Sequence, residues 1–434
     1  MTRAGWFSCL ILSGLLPLAA ACERTETWSR AGRAGGPSAA GGSTSVPHPS
    51  GGTSASSTPT EYGALTAATR HDVVVAAGDC AVKVTDAAAA ALEALSSSSA
   101  ARGAAPSDAG AVAKSQADYR AALEAWSEAE VVSFGPAGGS ASSAAPTPGG
   151  QDLGPAIYGW PLVSRCEIEK VIVSQGYAAP GFATTTLLPM RSLAALDYLA
   201  FHTGADQACG ASSAIAGPFG ALGAEELGAR RAAYAAVVAA DTAARARALA
   251  NLWSPKGGNF VAQLSGAGQG SGVYASDQLA LNAISDAMFH LDQRVKDRKL
   301  GQPLGLIDCG KATCPEAVES TWAGHSRESL RRNLLGFRRL ATGCGDAGAG
   351  VGFDDLLFGL GQQAAADRLR FAVQDAIGAI DAVPYDDLAT ALTQQPATVT
   401  AARDAVKRLT DFLKSDFLTL LDLEPPKSLE GDND

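Results

Sequence analysis

The sequence predicts an all-α protein, and three observations support this fold class. Hydrophobic residues make up 47% of the 434 residues but aromatic residues only 6%, so Ala and Leu must form most of the core. Such a core suits closely packed helices better than sheets. Apolar residues recur at steps of three and four in several long segments, and no segment alternates convincingly with a period of two.

The helices follow from this periodicity. They are predicted over 62–95, where the serine run 96–99 ends the first, over 115–134 and over 190–202. Three more helices are predicted. One begins at Ser276, another begins at Ser326, and the last includes the apolar stripe from Val406 to Leu420. Ser276 is the expected N-cap of its helix, because a serine hydroxyl accepts a hydrogen bond from the first turn.

The N-terminus is typical of an exported protein. A basic start is followed by an apolar run over 5–18 and three alanines before Cys22, which is the pattern of a signal peptide. Small residues before a cysteine resemble a lipobox, in which Cys22 would be acylated, although Leu18 stands one place earlier than the lipobox favours. Ordinary cleavage would instead leave Cys22 as a free thiol.

Four segments follow along the chain. We predict a signal peptide over 1–21, a lipid-anchored flexible linker over 22–60, an N-terminal helical half over 61–210 and a C-terminal helical half over 211–434. The linker is rich in Gly, Ser, Pro and Thr, which bury too little surface to fold. The boundary between the halves rests on the glycine clusters in 205–225.

The cysteine count favours export and lipidation. If Cys9 leaves with the signal peptide and Cys22 carries lipid, six cysteines remain, an even number that suits up to three disulfides in an oxidising compartment. Cys309 and Cys314 lie in one loop without a second Cys or His pair, so a local disulfide is favoured over a metal site. The other pairings stay open.

The net charge of −10 and the absence of a long basic stretch argue against nucleic acid as a partner. A surface that binds phosphates needs clustered Lys and Arg. The sequence also has no nucleophile elbow, phosphate loop or dinucleotide fingerprint.

Three segments carry more polar detail than a helical bundle needs, namely 158–168, 190–201 and the pair 299–305 and 318–333. In this order and spacing they resemble the imelysin family of bacterial envelope proteins, over most of the body up to about Leu340. The resemblance implies two bundle-like helical halves with a candidate site in the cleft between them. The family is associated with iron-regulated envelope proteins and includes a member classed as a metallopeptidase.

The family's site motif, Gly-x-His-x-x-Glu, is altered in this sequence. Ala194 stands at the His position and Asp197 at the Glu position, so the metal-site interpretation loses its imidazole. Asp197 nevertheless lies among apolar residues, where a carboxylate is costly unless it is paired. Arg191, Arg165 or Lys299 could pair with it, and a structural ion pair and a ligand-binding role are both open.

The candidate ligand-binding residues are those that the resemblance and the chemistry single out together: Asp197, Arg165, Arg191, Trp160, Lys299, Glu319, Ser320 and His325. No two histidines have the spacing of metal ligands. A non-standard metal site would have to use Asp197, Glu319 and His325, the histidine whose neighbours match the family pattern.

The leading hypothesis is a lipid-anchored, periplasm-facing binding protein, attached to the outer membrane and serving metal, iron or nutrient uptake. Its cofactor would be a divalent metal or iron, and its partner a small ligand, a metal or an envelope protein. The alternatives are a metallopeptidase with a non-standard ligand set, which leaves enzymatic activity open, and a structural or partner-binding envelope protein.

Overall fold

A computed structural model describes residues 65–426 and Leu429, and this part of the chain contains α-helices but no β-strand. The all-α prediction is therefore confirmed. The predicted signal peptide and linker, with Cys22, lie outside the described residues. The α-helices are α1 Arg70–Ala104, α2 Ala109–Ala129, α3 Leu153–Ile157, α4 Arg165–Ser174, α5 Phe182–Thr185, α6 Leu193–Phe201, α7 Ala216–Gly220, α8 Ala224–Trp253, α9 Val261–Ser265, α10 Asp277–Met288, α11 Ser326–Thr342, α12 Phe353–Gly359, α13 Gln363–Asp381, α14 Leu388–Gln394, α15 Pro396–Phe412 and α16 Leu418–Leu421.

Shorter helical segments of other types connect these helices. π-Helical segments span Leu291–Gly301 and Leu413–Phe417. Single 3₁₀ turns span Gly135–Ala137, Gly176–Ala178, Leu188–Met190, Pro315–Ala317 and Asp346–Gly348. Within residues 65–426, no helix combines the length and the apolar character needed to cross a membrane.

Helix α1 is the longest element and packs along both α2 and α8. It begins at a capping box, in which Thr69 and Asp72 each accept a backbone hydrogen bond from the other. The expectation that the serine run 96–99 ends this helix is wrong. Ser97 and Ser98 donate their hydroxyls to carbonyls one turn earlier, which satisfies these hydroxyls without leaving the helical conformation.

The predicted N-cap Ser276 is confirmed, since its hydroxyl accepts from the backbone N–H of Leu279 at 3.2 Å. The apolar stripe of this helix continues into the π-helix, where Leu291 and Val295 are fully buried. Ser326 likewise opens α11, as predicted. The buried residues form one hydrophobic cluster that extends across both predicted halves, and the boundary at 210 stays a prediction.

A close crossing of α2 and α11 positions part of the site. A Cβ at Gly336 would clash with the backbone carbonyl of Glu128, so only glycine allows the two helices to approach this closely. The crossing brings Glu130, the residue that follows α2, next to Asn333 of α11.

The six cysteines of the described region form three disulfides. The local Cys309–Cys314 pair is confirmed. The other two, which the sequence left open, are Cys80–Cys344 and Cys166–Cys209. The first joins α1 to the loop after α11, and it closes a long chain segment that would otherwise be free in the unfolded state.

Candidate functional site

A cavity of about 240 Å³ lies among segments from both sides of the predicted boundary. Ala194 and Asp197, the residues at the two altered motif positions, both line it. Other parts of its wall are aromatic or polar: Tyr119, Tyr158, Trp160, Arg165, Gln302, Glu316, Ser320 and Trp322. The two altered motif positions therefore share one cavity wall with several aromatic and polar side chains.

Asp197 lies on α6 and is 4% exposed. Its carboxylate accepts hydrogen bonds from the backbone N–H of Trp322 at 3.1 Å and of Ala323 at 2.9 Å. The Ser320 hydroxyl lies 3.5 Å from the same carboxylate, in a turn where Ser320 has a left-handed φ of 55°. Burial outweighs these donors and, with the nearby charge of Glu319, raises the pKa of Asp197 to about 7.

The three cations that the sequence suggested as partners of Asp197 are each engaged elsewhere in the described structure. The carboxylate of Asp197 is surrounded instead by three uncharged donors of one turn, the Ser320 hydroxyl and the backbone N–H groups of Trp322 and Ala323. The observed partners are Glu169 and Asp206 for Arg165, Asp241 for Arg191, and Glu130 and Glu319 for Lys299.

A second polar cluster, centred on Lys299, lies next to the cavity. The ammonium of Lys299 is 1% exposed and contacts Glu130 at 2.7 Å, Glu319 at 2.8 Å and Asn333 at 2.7 Å. Tyr158 donates its hydroxyl to the same oxygen of Glu319. We call these five residues the Lys299 cluster.

The charges of the Lys299 cluster depend on one another. Burial alone would lower the pKa of Lys299, but the two carboxylates outweigh burial and raise it. Burial would likewise raise the pKa of Glu130, and Lys299 overcomes this effect so that the net shift is downward. For Glu319, burial prevails and raises the pKa. One ammonium thus stabilises two buried carboxylates.

His325 lies away from the cavity wall and is held by two carboxylates. Its Nδ1 lies 2.6 Å from Asp386 and its Nε2 lies 3.0 Å from Glu124. Burial alone would lower the pKa of His325, but these carboxylates raise it. Both ring nitrogens are therefore engaged.

The described residues do not gather the ligands of a metal ion. No group of three or more His, Cys, Asp or Glu side chains that could hold a metal is found in the part of the chain that the structure describes. Asp197, Glu319 and His325, the set that the sequence suggested, do not form such a group. At the motif's His position, Ala194 contributes only a methyl group to the cavity wall.

Sequence reasoning missed several residues of the site. Tyr119, Tyr158 and Trp322 line the cavity, and Glu130 and Asn333 hold Lys299. One signal was present, because Glu130 falls on the same stripe of α2 as apolar residues that are now seen to be buried. An acid on a buried stripe requires a partner.

The fold places the chain among all-helical proteins with a ligand-sized cavity, and comparisons with known proteins define its family. A family model described as Imelysin, peptidase M75, matches residues 81–415. The chain therefore belongs to the imelysin family. No curated protein sequence matches the chain.

Two solved structures share the fold. An imelysin-like protein from Psychrobacter arcticum 273-4 has a TM-score of 0.60 at 18% identity, over 83% of this chain and 98% of that one. A protein from Parabacteroides distasonis ATCC 8503, named as an iron-regulated protein A precursor, has a TM-score of 0.59 at 15% identity. That match covers 82% of this chain and 95% of the other.

The Lys299 cluster predicts a large loss of stability when its cation is removed. Lys299→Met would leave Glu130 and Glu319 buried without their shared counter-charge, which should lower the free energy of unfolding by about 3–5 kcal/mol. Urea unfolding followed by circular dichroism measures this change. Lys407→Met, which removes a lysine paired with the exposed Asp411, should cost less than about 1 kcal/mol. Equal losses in the two variants would contradict the assignment.

The environment of Asp197 predicts a specific dependence of stability on pH. Its pKa rises from 3.8 when unfolded to about 7 when folded, so the folded state binds the proton more tightly and stability falls as pH rises between these values. The loss should reach up to about 4 kcal/mol. Asp197→Asn should remove this part of the pH dependence between pH 4 and pH 8, whereas the surface variant Asp411→Asn should keep it. Parallel pH profiles for wild type and Asp197→Asn would refute the prediction.

Proposed function

We propose that the protein is a lipid-anchored binding protein of the bacterial cell envelope that holds a small organic ligand in the cavity beside Asp197. The observation that carries this proposal is the cavity itself, whose wall contains both altered motif positions. Concave sites with aromatic walls and a few convergent polar groups are the usual form of small-molecule sites. A volume of about 240 Å³ suits a small ligand.

The chemistry of the site favours binding over metal-dependent hydrolysis. Ala194 supplies no metal ligand, and both oxygens of Asp197 accept backbone N–H groups. Without a gathered ligand set in the described residues, the metallopeptidase alternative has no structural support in this chain. The Lys299 cluster has mutual partners, which suits a role in shaping the cavity.

Two observations outside the cavity support a role in the envelope. The sequence before residue 61 has the features of a signal peptide, a lipobox-like Cys22 and a linker. The three disulfides suit an oxidising compartment. The relative from Parabacteroides distasonis is named as iron-regulated, which supports a part in nutrient uptake. We place the protein at the outer membrane, facing the periplasm.

A larger side chain that fills the cavity should exclude the ligand and leave the polar groups of the cavity wall unchanged. We expect a small molecule to co-purify with the wild-type protein and to be identified by mass spectrometry after denaturation. Ala194→Leu should abolish it, because the larger side chain extends into the cavity from its wall. Ala240→Leu, a matched change on the exposed surface of α8, should retain it. An equal yield of the molecule from both variants would rule out this cavity as its site.

Acylation of Cys22 is tested by metabolic labelling with a radioactive fatty acid in a bacterial host. The wild-type protein should incorporate the label and sediment with membranes. Cys22→Ser should lose both properties, because the thiol is the site of acylation. Cys9→Ser, which changes a cysteine inside the predicted signal peptide, should keep both. A labelled Cys22→Ser protein would disprove the predicted anchor.

A further inference from the structure

The aromatic and electrostatic character of the cavity identifies the kind of ligand. We infer that the cavity binds a small organic cation of the alkylammonium class, held by the carboxylate of Asp197 and by the surrounding aromatic rings. This inference rests on the proposed function and specifies its ligand.

Four aromatic side chains line the cavity, namely Tyr119, Tyr158, Trp160 and Trp322. Trp160 and Trp322 are half-buried, so part of each indole is accessible. Aromatic rings attract cations through the negative charge of their faces, and enclosures of several rings bind alkylated ammonium groups. An aromatic wall of this kind favours a cation that carries apolar groups.

The chain itself already places one ammonium against this wall. The Nζ atom of Lys299 lies 5.9 Å from the ring centroids of both Tyr158 and Trp160. This distance is within the range of about 6 Å over which cation–π attraction is appreciable. Two of the four rings therefore stand in cation–π geometry within the protein.

Within the part of the chain that the structure describes, Asp197 is the one charged side chain of the wall without a counter-ion. The other two charged side chains of the wall are compensated, Arg165 by Asp206 at 2.6 Å and Glu316 by Lys311 at 2.7 Å. Among the described contacts, Asp197 has only two backbone N–H groups and one hydroxyl. A bound cation would supply the missing positive charge at a place that is almost shielded from solvent.

The neighbourhood adds to the negative charge at this place. Glu319 lies close enough to Asp197 for its charge to raise the pKa of Asp197, and its second carboxylate oxygen is buried with no hydrogen-bond partner among the described residues. The chain as a whole carries a net charge of −10, which attracts cations over longer distances. The size of the cavity restricts the ligand to a small member of the class.

The test is isothermal titration calorimetry on the full-length chain, purified in a nonionic detergent and stripped of bound ligand by partial unfolding and refolding. The probes are tetramethylammonium, choline and butylammonium, with 3,3-dimethyl-1-butanol as the neutral molecule of the same shape as choline. At least one cation should bind with one-to-one stoichiometry. The neutral alcohol should bind at least about tenfold more weakly than choline if choline is that cation.

The variants separate the two parts of the site. Asp197→Asn should weaken cation binding by about tenfold or more, and Asp411→Asn should leave it unchanged. Trp322→Leu removes one half-buried ring and should weaken binding roughly 3- to 30-fold. If Asp197→Asn fails to fold, as judged by circular dichroism, Trp322→Leu provides the same test through the aromatic wall.

Each other outcome contradicts the inference in a distinguishable way. If none of the three cations binds while Ala194→Leu still loses a co-purified molecule, the ligand is of another class and the proposed function stands. Equal binding of choline and the neutral alcohol would also contradict the inference that the ligand is a cation. If no cation binds and Ala194→Leu loses nothing, both the inference and the proposed function fail.

Discussion

The ion pairs of Lys299 hold together the parts of the molecule that form the cavity. Lys299 belongs to the π-helix, Glu130 follows α2, and Glu319 begins the turn that contains Ser320. One buried ammonium thereby fixes three separate segments relative to one another. The desolvation cost of such a group is high, and the several hydrogen bonds to its partners offset that cost. The geometry around Asp197 depends on this arrangement, because the turn after Glu319 supplies its donors.

Backbone donors explain why an acid can remain at the edge of an apolar helix without a basic partner. Trp322 and Ala323 donate N–H groups that the fold holds in place and that cost no side-chain entropy. These donors stabilise the carboxylate only in part, since burial still prevails and raises the pKa of Asp197. The result is a carboxyl group in the cavity wall whose pKa lies near neutral pH.

The sequence predicted the features that depend on local pattern and missed those that depend on distant segments. Helical periodicity and the cap at Ser276 are local, and so is the Cys309–Cys314 pair; all three are confirmed. The partners of Asp197 were not predictable, because backbone N–H groups leave no trace in the sequence. The end of α1 was missed for a related reason. A run of serines is typical of a helix end, and only the structure shows that the Ser97 and Ser98 hydroxyls donate to carbonyls within the helix.

The two departures from the family motif are physically consistent with each other. Ala194 carries no imidazole, so this position supplies no metal ligand, and its methyl group forms part of the cavity wall. The carboxylate of Asp197 is stabilised instead by the backbone N–H groups of Trp322 and Ala323. In this structure the two altered positions lie in the wall of a small cavity that has two acidic side chains, Asp197 and Glu316, and four aromatic rings. Such a space is better matched to an organic ligand that brings its own shape and charge.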